Sequence, residues 1–314
     1  MSSQDELHVI FGASGGIGNT VVRELARRGK RVRGVARSGK ANVPAGVEMV
    51  KGDASDPASA REVCRGASVV YNCANAPYGE WPAKFPQMMA GILEGAASAG
   101  AKLVFADNLY MYGKVSGPLT ETMPYRAAGK KGRTRILMTQ MLMDAHESGR
   151  LRATIGRASD YYGPGVINTA INQFPAVLAG KTAMWVGSLD TPHSLTYIDD
   201  FAKGLVTLGE RDEALGQVWH IPCAEPLTGR QFLQMVFEEA GLPPKIGVYR
   251  RPMMLLVSPF MPLAREALET LYQFEAPFVL DGGKFARAFG EGTITPHGEA
   301  IRQTLKWFRD NPQR

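Results

Sequence analysis

Near the start of the chain, Gly12-Ala13-Ser14-Gly15-Gly16-Ile17-Gly18 follows a short apolar run and leads straight into a helical pattern. Glycine at 12, 15 and 18 between a strand and a helix uncovers backbone N–H groups at the helix's positive end, where a pyrophosphate can settle. Positions without a side chain also let the backbone approach a phosphate closely. A plain flexible turn is the competing reading. The flanking elements and the early position favour a dinucleotide held by Gly12, Ser14, Gly15, Gly16, Ile17 and Gly18.

The choice of dinucleotide rests on the end of the second strand, where a protein selecting NAD places an acid against the ribose 2′-hydroxyl. Between Glu24 and Glu48 there is no acid, but there are Arg27, Arg28, Lys30, Arg31, Arg33, Arg37 and Lys40. Arg37 and Ser38 stand just past the strand end and can hold a 2′-phosphate by charge-assisted hydrogen bonds. NADP(H) is therefore the expected cofactor, with NAD(H) the second choice. The other cations suit a solvated helix face and its end. Asp53, just after the third strand, is placed to meet the adenine or to serve as a turn or cap acid.

These residues need a scaffold of repeated strand–helix–strand units, and the first hundred residues carry one. Strands are expected at Leu7–Phe11, Arg31–Ala36, Val47–Val50, Val69–Cys73 and Leu103–Ala106, then at Arg152–Arg157 and around Gln217–Ile221. Asn19–Arg28 sets Val21, Val22, Leu25 and Ala26 on one helical face, with Gly29 to stop it. Gln231–Ala240 and Glu299–Arg309 pattern as amphipathic helices, and Arg265–Phe274 also looks helical. The fold class is α/β: a Rossmann-type doubly wound parallel sheet with a smaller C-terminal substrate lobe. Residues 1–162 form the nucleotide-binding domain and 163–314 mainly the lobe, with the chain crossing back to the first domain.

The three glycines, the Asp53 step, the Leu103–Ala106 strand leading to Tyr112-Gly113, Tyr162-Gly163-Pro164-Gly165 and Thr196-Tyr197-Ile198-Asp199-Asp200 together resemble the extended short-chain dehydrogenase/reductase family. The resemblance spans most of the chain and implies an NAD(P)-dependent enzyme of the epimerase/dehydratase kind. It extends the cofactor site to Ala54, Cys73, Ala74 and Asn75. It also implies a Ser or Thr after the fifth strand and a Tyr-x-x-x-Lys on the next helix, and this chain has neither. The hydroxyl position falls on Asn108, after Asp107, and the helix opens with Lys131 and Arg135 at the four-residue spacing.

Reduction of a carbonyl needs a proton donor or a positive environment for the developing oxyanion. Lys131 can supply either, with a lowered pKa expected if cations crowd it. Arg126, Lys130, Lys131, Arg133 and Arg135 can equally form a solvated basic surface or hold an acidic substrate. Asn108 can donate to a carbonyl; Asp107 is a base or a strand-end turn residue. Tyr110 is the first choice of replacement acid, ahead of Tyr125, Tyr161 and Tyr162, whereas Tyr112 reads as packed. Tyr78 and Trp81 border the substrate or pack as core or lid. The catalytic candidates are thus Lys131, Asn108, Tyr110, Asp107 and Arg135. The activity expected is that of an NADP-dependent oxidoreductase or epimerase/dehydratase-like enzyme on a small carbonyl or hydroxyl substrate. A non-catalytic NADP(H) sensor is the alternative.

Composition excludes other classes. Across 314 residues, 45% hydrophobic and 21% charged content argues against long disorder, and a net charge of +6 without a basic tail argues against a nucleic-acid partner. Asp5 and Glu6 sit where an export signal needs positive charge. The apolar run Met253–Leu263 is too short to span a bilayer, so no membrane partner is expected; it reads first as core packing, then as a substrate pocket or subunit contact. Cys64, Cys73 and Cys223 give no metal or disulfide pattern, which suits the cytoplasm. A small-molecule substrate, acidic substrates included, is the expected partner, with homodimerisation left open.

Overall fold

The computed structural model describes residues 6–167, 171–290, 292 and 294–312. Residues 1–5, part of the N-terminal stretch read as unlike an export signal, lie outside the described residues. The chain opens with six strands and four helices: β1 (Leu7–Phe11), α1 (Gly16–Arg27), β2 (Arg31–Ala36), β3 (Glu48–Lys51), α2 (Pro57–Cys64), β4 (Ala67–Asn72), α3 (Trp81–Ser98), β5 (Lys102–Asp107), α4 (Lys130–Glu147) and β6 (Arg152–Arg157). Then follow β7 (Tyr161–Tyr162), α5 (Phe174–Leu178), β8 (Ala183–Val186), β9 (Pro192–His193), β10 (Thr196–Tyr197), α6 (Ile198–Glu210) and β11 (Val218–His220). The chain finishes with β12 (Leu227–Thr228), α7 (Gly229–Ala240), β13 (Ile246–Tyr249), α8 (Arg251–Val257), α9 (Pro262–Leu268), α10 (Gly283–Phe289) and α11 (His297–Asp310).

Seven strands form one parallel sheet in the order β11-β6-β5-β4-β1-β2-β3. The apolar strands suit burial on both faces. On one face α2, α3 and α4 supply Ala60, Val63, Phe85, Met89, Ile92, Met138 and Leu142; on the other α1 and α6 supply Val21, Val22, Leu25, Phe201, Leu205 and Leu208. Thus α6 and β11, from the second half of the sequence, complete the parallel-sheet layer structure. The lobe has its own core around Phe174, Trp185, Phe232, Phe237, Ile301 and Phe308.

Strand order reverses direction between β1 and β4, the switch point where ligands settle at the carboxyl ends of such sheets. Register brings the candidate residues to that edge. Phe11 is paired with Val35 and with Asn72, so Gly12, Arg37 and Cys73 leave the sheet near one level. Asn72 is paired with Phe105, and Asp107 with Arg157, which sets Asn108 and Asp160 on the same edge.

Two expectations are corrected. In the Met253–Leu263 run, Met254 is buried, but Met253, Leu255, Leu256, Phe260 and Met261 are exposed, so this run is not core. The helix expected over Arg265–Phe274 is two pieces, α9 ending at Leu268 and a 3-10 turn at Leu271–Phe274.

Candidate active site

The glycine-rich turn is built by close approaches. Gly12 has φ +82°, and a Cβ there would lie 2.5 Å from the Cys73 carbonyl oxygen and 2.8 Å from the Ala74 Cα. A Cβ on Gly18 would overlap the Gly12 carbonyl, and one on Gly16 would sit 3.3 Å from the Gly165 carbonyl oxygen. The turn is therefore clamped between the end of β4 and the Tyr162–Gly165 segment. Gly15 caps α1 without a side-chain bond and the first turn holds no acid, so its leading amides point at open, electropositive space. Ser14 and Gly15 are exposed there. This cradle fits a pyrophosphate.

The basic residues beside it separate sharply. Arg27 and Arg28 pair with Glu24, and Arg33 pairs with Glu48 while donating to the Val63 carbonyl. Arg37 and Ser38 are exposed at the end of β2, and Arg37 has no ion-pair partner among the described residues. Asp53 is exposed and accepts from the Ser55 amide at 2.8 Å, its other oxygen without a hydrogen bond among the described residues. Ala54 is buried behind it, packed against Gly91. Cys73, Ala74 and Asn75 line the same edge after β4, and burial pushes the Cys73 thiol up to about 12, so it stays protonated.

At the end of β5, Asp107 is locked. Its carboxylate accepts from Arg157 Nε at 3.0 Å and from Arg135 at 3.3 Å, and neither Asp107 nor Arg157 exposes any side chain. Arg157 also donates to the hydroxyls of Tyr112 (2.9 Å), Tyr125 (3.0 Å) and Thr139 (3.0 Å). Arg135 lies over the rings of Trp81 and Phe85 at 4.6 and 4.5 Å. Burial pulls its pKa down, against the Asp107 charge. Tyr112 is wedged between Arg157 and His220.

Next to this network lies a chain of hydroxyls. The Asn108 side-chain oxygen accepts from the Tyr110 amide at 3.1 Å, so its NH2 group remains to donate elsewhere. Tyr110 stacks on Trp81 with ring centres 5.8 Å apart and lies near the phenol of Tyr78, which reaches Thr270 at 3.0 Å. Burial, with the nearby Tyr78 and Asp160, holds the Tyr110 phenol well above its ordinary value. Tyr161 is raised the same way, with the Arg135 charge opposing.

Lys131 is 1% exposed, its Nζ bound to the carboxylates of Glu266 and Glu269 and 4.3 Å from the centre of the Tyr78 ring. The expected crowd of cations around it is corrected: Lys130 and Arg133 turn to solvent, Arg135 enters the Asp107 pair, and Lys131 faces carboxylates. A cleft of about 300 Å³ opens beside these groups, lined by Tyr110, Gly129, Thr270 and Tyr272 and rimmed by Lys114 and Arg126. A more open basin of about 710 Å³ lies at the opposite end of the strands, away from the glycine-rich turn, among paired charges such as Lys102 and Asp212.

The model of the NAD dependent epimerase/dehydratase family matches residues 8–221. The chain belongs to that family. Among relatives of this epimerase/dehydratase chain, dTDP-4-dehydrorhamnose reductase of Mycobacterium tuberculosis is 25% identical over 264 residues, 78% of this chain and 79% of the relative. The uncharacterized protein y4nL of Sinorhizobium fredii is 27% identical over 138 residues, 42% of this chain and only 38% of the relative. Epimerase Mth375 of Methanothermobacter thermautotrophicus superimposes with TM-score 0.83 at 17% identity, covering 99% of this chain and 94% of its own. UDP-glucuronic acid 4-epimerase of Bacillus cereus, solved with NAD, superimposes with TM-score 0.81 at 15% identity, covering 97% and 99%.

Within this family framework, sequence reasoning missed Arg157, Glu266, Glu269 and Thr270. The first is a strand-end residue turned inward; the other three reach the site from the far lobe, more than 130 residues after α4 begins. No local pattern marks them.

Proposed function

We propose that this epimerase/dehydratase-family protein is an NADP(H)-dependent oxidoreductase or epimerase-like enzyme acting on a small carbonyl or hydroxyl compound. The cradle at Gly12–Gly18 carries the reading: it is shaped by contacts that tolerate no side chain and lies at the switch point of the sheet. Gly12, Ser14, Gly15, Gly16, Ile17 and Gly18 would hold the pyrophosphate, Asp53 and Ala54 the adenosine side, and Cys73, Ala74 and Asn75 the path towards the nicotinamide. Arg37 and Ser38 would take the 2′-phosphate, because both stand exposed just past the end of β2 and Arg37, like Arg31 and Lys40, has no ion-pair partner among the described residues. The nicotinamide, when bound, takes up or returns hydride.

The remaining roles belong to the chain's own side chains. Asn108 offers its NH2 group to a substrate oxygen. Tyr110, kept protonated by burial, delivers the proton and is backed by Tyr78 and Thr270. Lys131 fixes the charge beside that pair, while Asp107 and Arg135, through Arg157, hold β5 and α4 in register. Lys114 and Arg126 on the cleft rim suit an acidic substrate. Free Cys64, Cys73 and Cys223 suit a reducing compartment such as the cytoplasm.

The neutralisation of Lys131 by two carboxylates favours the second reading, a protein that binds NADP(H) without turnover. A screen of aldehydes and ketones for oxidation of bound NADPH separates the two. Turnover that falls at least about a hundredfold in Tyr110→Phe, the scale of a lost proton donor, supports the enzyme reading. No oxidation by any carbonyl leaves the sensor, and full activity in both Tyr110→Phe and Lys131→Ala refutes these role assignments.

A further inference from the structure

From Gly241 to Arg265 the chain contains no Asp or Glu, but it contains Lys245, Arg250, Arg251 and Arg265. The same stretch forms α8 and the turn into α9. Tyr249 and Met253 are exposed, Leu255 is 53% and Leu256 75% exposed, and on the turn Phe260 and Met261 reach 85% and 52%. Scattered exposed apolar side chains are ordinary; six within thirteen residues make a patch of the kind that marks a contact surface.

The patch is held out rather than collapsed. The amides of Phe260 and Met261 both donate to the Val257 carbonyl, Ser258 Oγ donates to the Leu255 carbonyl, and Met254 anchors the helix inward. Arg251 is bound to Glu275, which ties the base of the hairpin to the lobe. Arg250 and Arg265 stay exposed on either side of the apolar tip.

Charge decides between occupants. A twofold contact between copies of this chain would set a patch flanked by cations against itself, with no acid in the stretch to compensate. An anionic bilayer surface offers phosphates to the arginines and an acyl boundary to the tip. We propose that the 249–261 hairpin docks on an anionic lipid surface, with Leu256, Phe260 and Met261 entering the acyl boundary and Arg250 and Arg265 resting on lipid phosphates. A run too short to cross a bilayer is long enough to lie on one, and this proposal goes beyond the expectation of no membrane partner. Beyond the tip, α9 carries Glu266, which binds Lys131, and Glu269 just after it lines the cleft.

Flotation of the full chain with vesicles of phosphatidylcholine containing phosphatidylserine, against vesicles of phosphatidylcholine alone, tests this. The protein should float with the anionic vesicles and be released by high salt. Arg250→Glu should weaken binding at least about fivefold, the worth of one interfacial cation. Leu256→Asp with Phe260→Asp should abolish flotation while NADPH binding persists, showing that the fold is intact. Absence of flotation with either vesicle, or equal flotation of the double variant, overturns the proposal. So does a wild-type dimer in sedimentation that the double variant dissociates, which would make the patch a contact between copies.

Discussion

Replacing Asp107 tests whether the buried network at the end of β5 is scaffold or chemistry. In Asp107→Ala the guanidinium of Arg157, with no side-chain exposure, and that of Arg135 lose their common counter-charge. Removing one partner of a buried pair costs about 3–5 kcal/mol. Arg157 keeps its bonds to Tyr112, Tyr125 and Thr139, so about 4 kcal/mol is expected. For a chain of this length that lowers Tm by about 6 °C. Asp107→Asn, which keeps the shape and loses the charge, should fall between. Calorimetric unfolding of the three proteins, with NADPH binding measured alongside, reads the effect. An unchanged Tm in Asp107→Ala with lost turnover would refute the scaffold role and make Asp107 a base.

Acid should weaken the fold through two buried histidines. Burial, then the Lys30 and Lys102 charges, lowers His8 to about 4, and burial, then Arg157, lowers His220 to about 3. An unfolded histidine takes its proton near 6.5, so stability is complete above that pH and falls as pH drops towards 4, each site contributing at most about 1.4 kcal/mol per unit. Denaturant titrations at stepped pH should show a shallower slope in His8→Gln. Gly18→Ala forces a Cβ against the Gly12 carbonyl, so NADPH affinity should fall at least about tenfold with the sheet intact by circular dichroism. Lys131→Met leaves Glu266 and Glu269 facing each other without a cation, and amide exchange over residues 264–270 should rise; unchanged exchange would mean that the ion pair does not hold α9.

The parallel-sheet half was legible because most of its elements are local: alternating apolar runs, a glycine spacing and a helical apolar face closed by Gly29. Strand ends moved by a residue or two, as at β4, which starts at Ala67 rather than Val69. Asp107, Asn108, Tyr110, Lys131 and Arg135 do gather at one end of the sheet, but their partners were hidden. Glu266 and Glu269 meet Lys131 only because the lobe folds back over α4, and nothing in a heptad or a motif encodes that return. Composition also misjudged residues 253–261, since apolar content says nothing of which way a short helix faces.

The central claim is that the Gly12–Gly18 cradle with Arg37 binds a 2′-phosphorylated dinucleotide. Fluorescence titration of nucleotide-free protein with NADPH and with NADH, repeated on Arg37→Ala, tests it most directly. One charge-assisted contact to phosphate is worth about 1.5–3 kcal/mol, or roughly 10–150-fold. NADPH should therefore bind at least about tenfold more tightly than NADH, and Arg37→Ala should remove that preference while sparing NADH. Equal binding of the two nucleotides, or a preference that survives Arg37→Ala, would contradict the assignment of NADP(H), and failure to bind either would contradict the cofactor site itself.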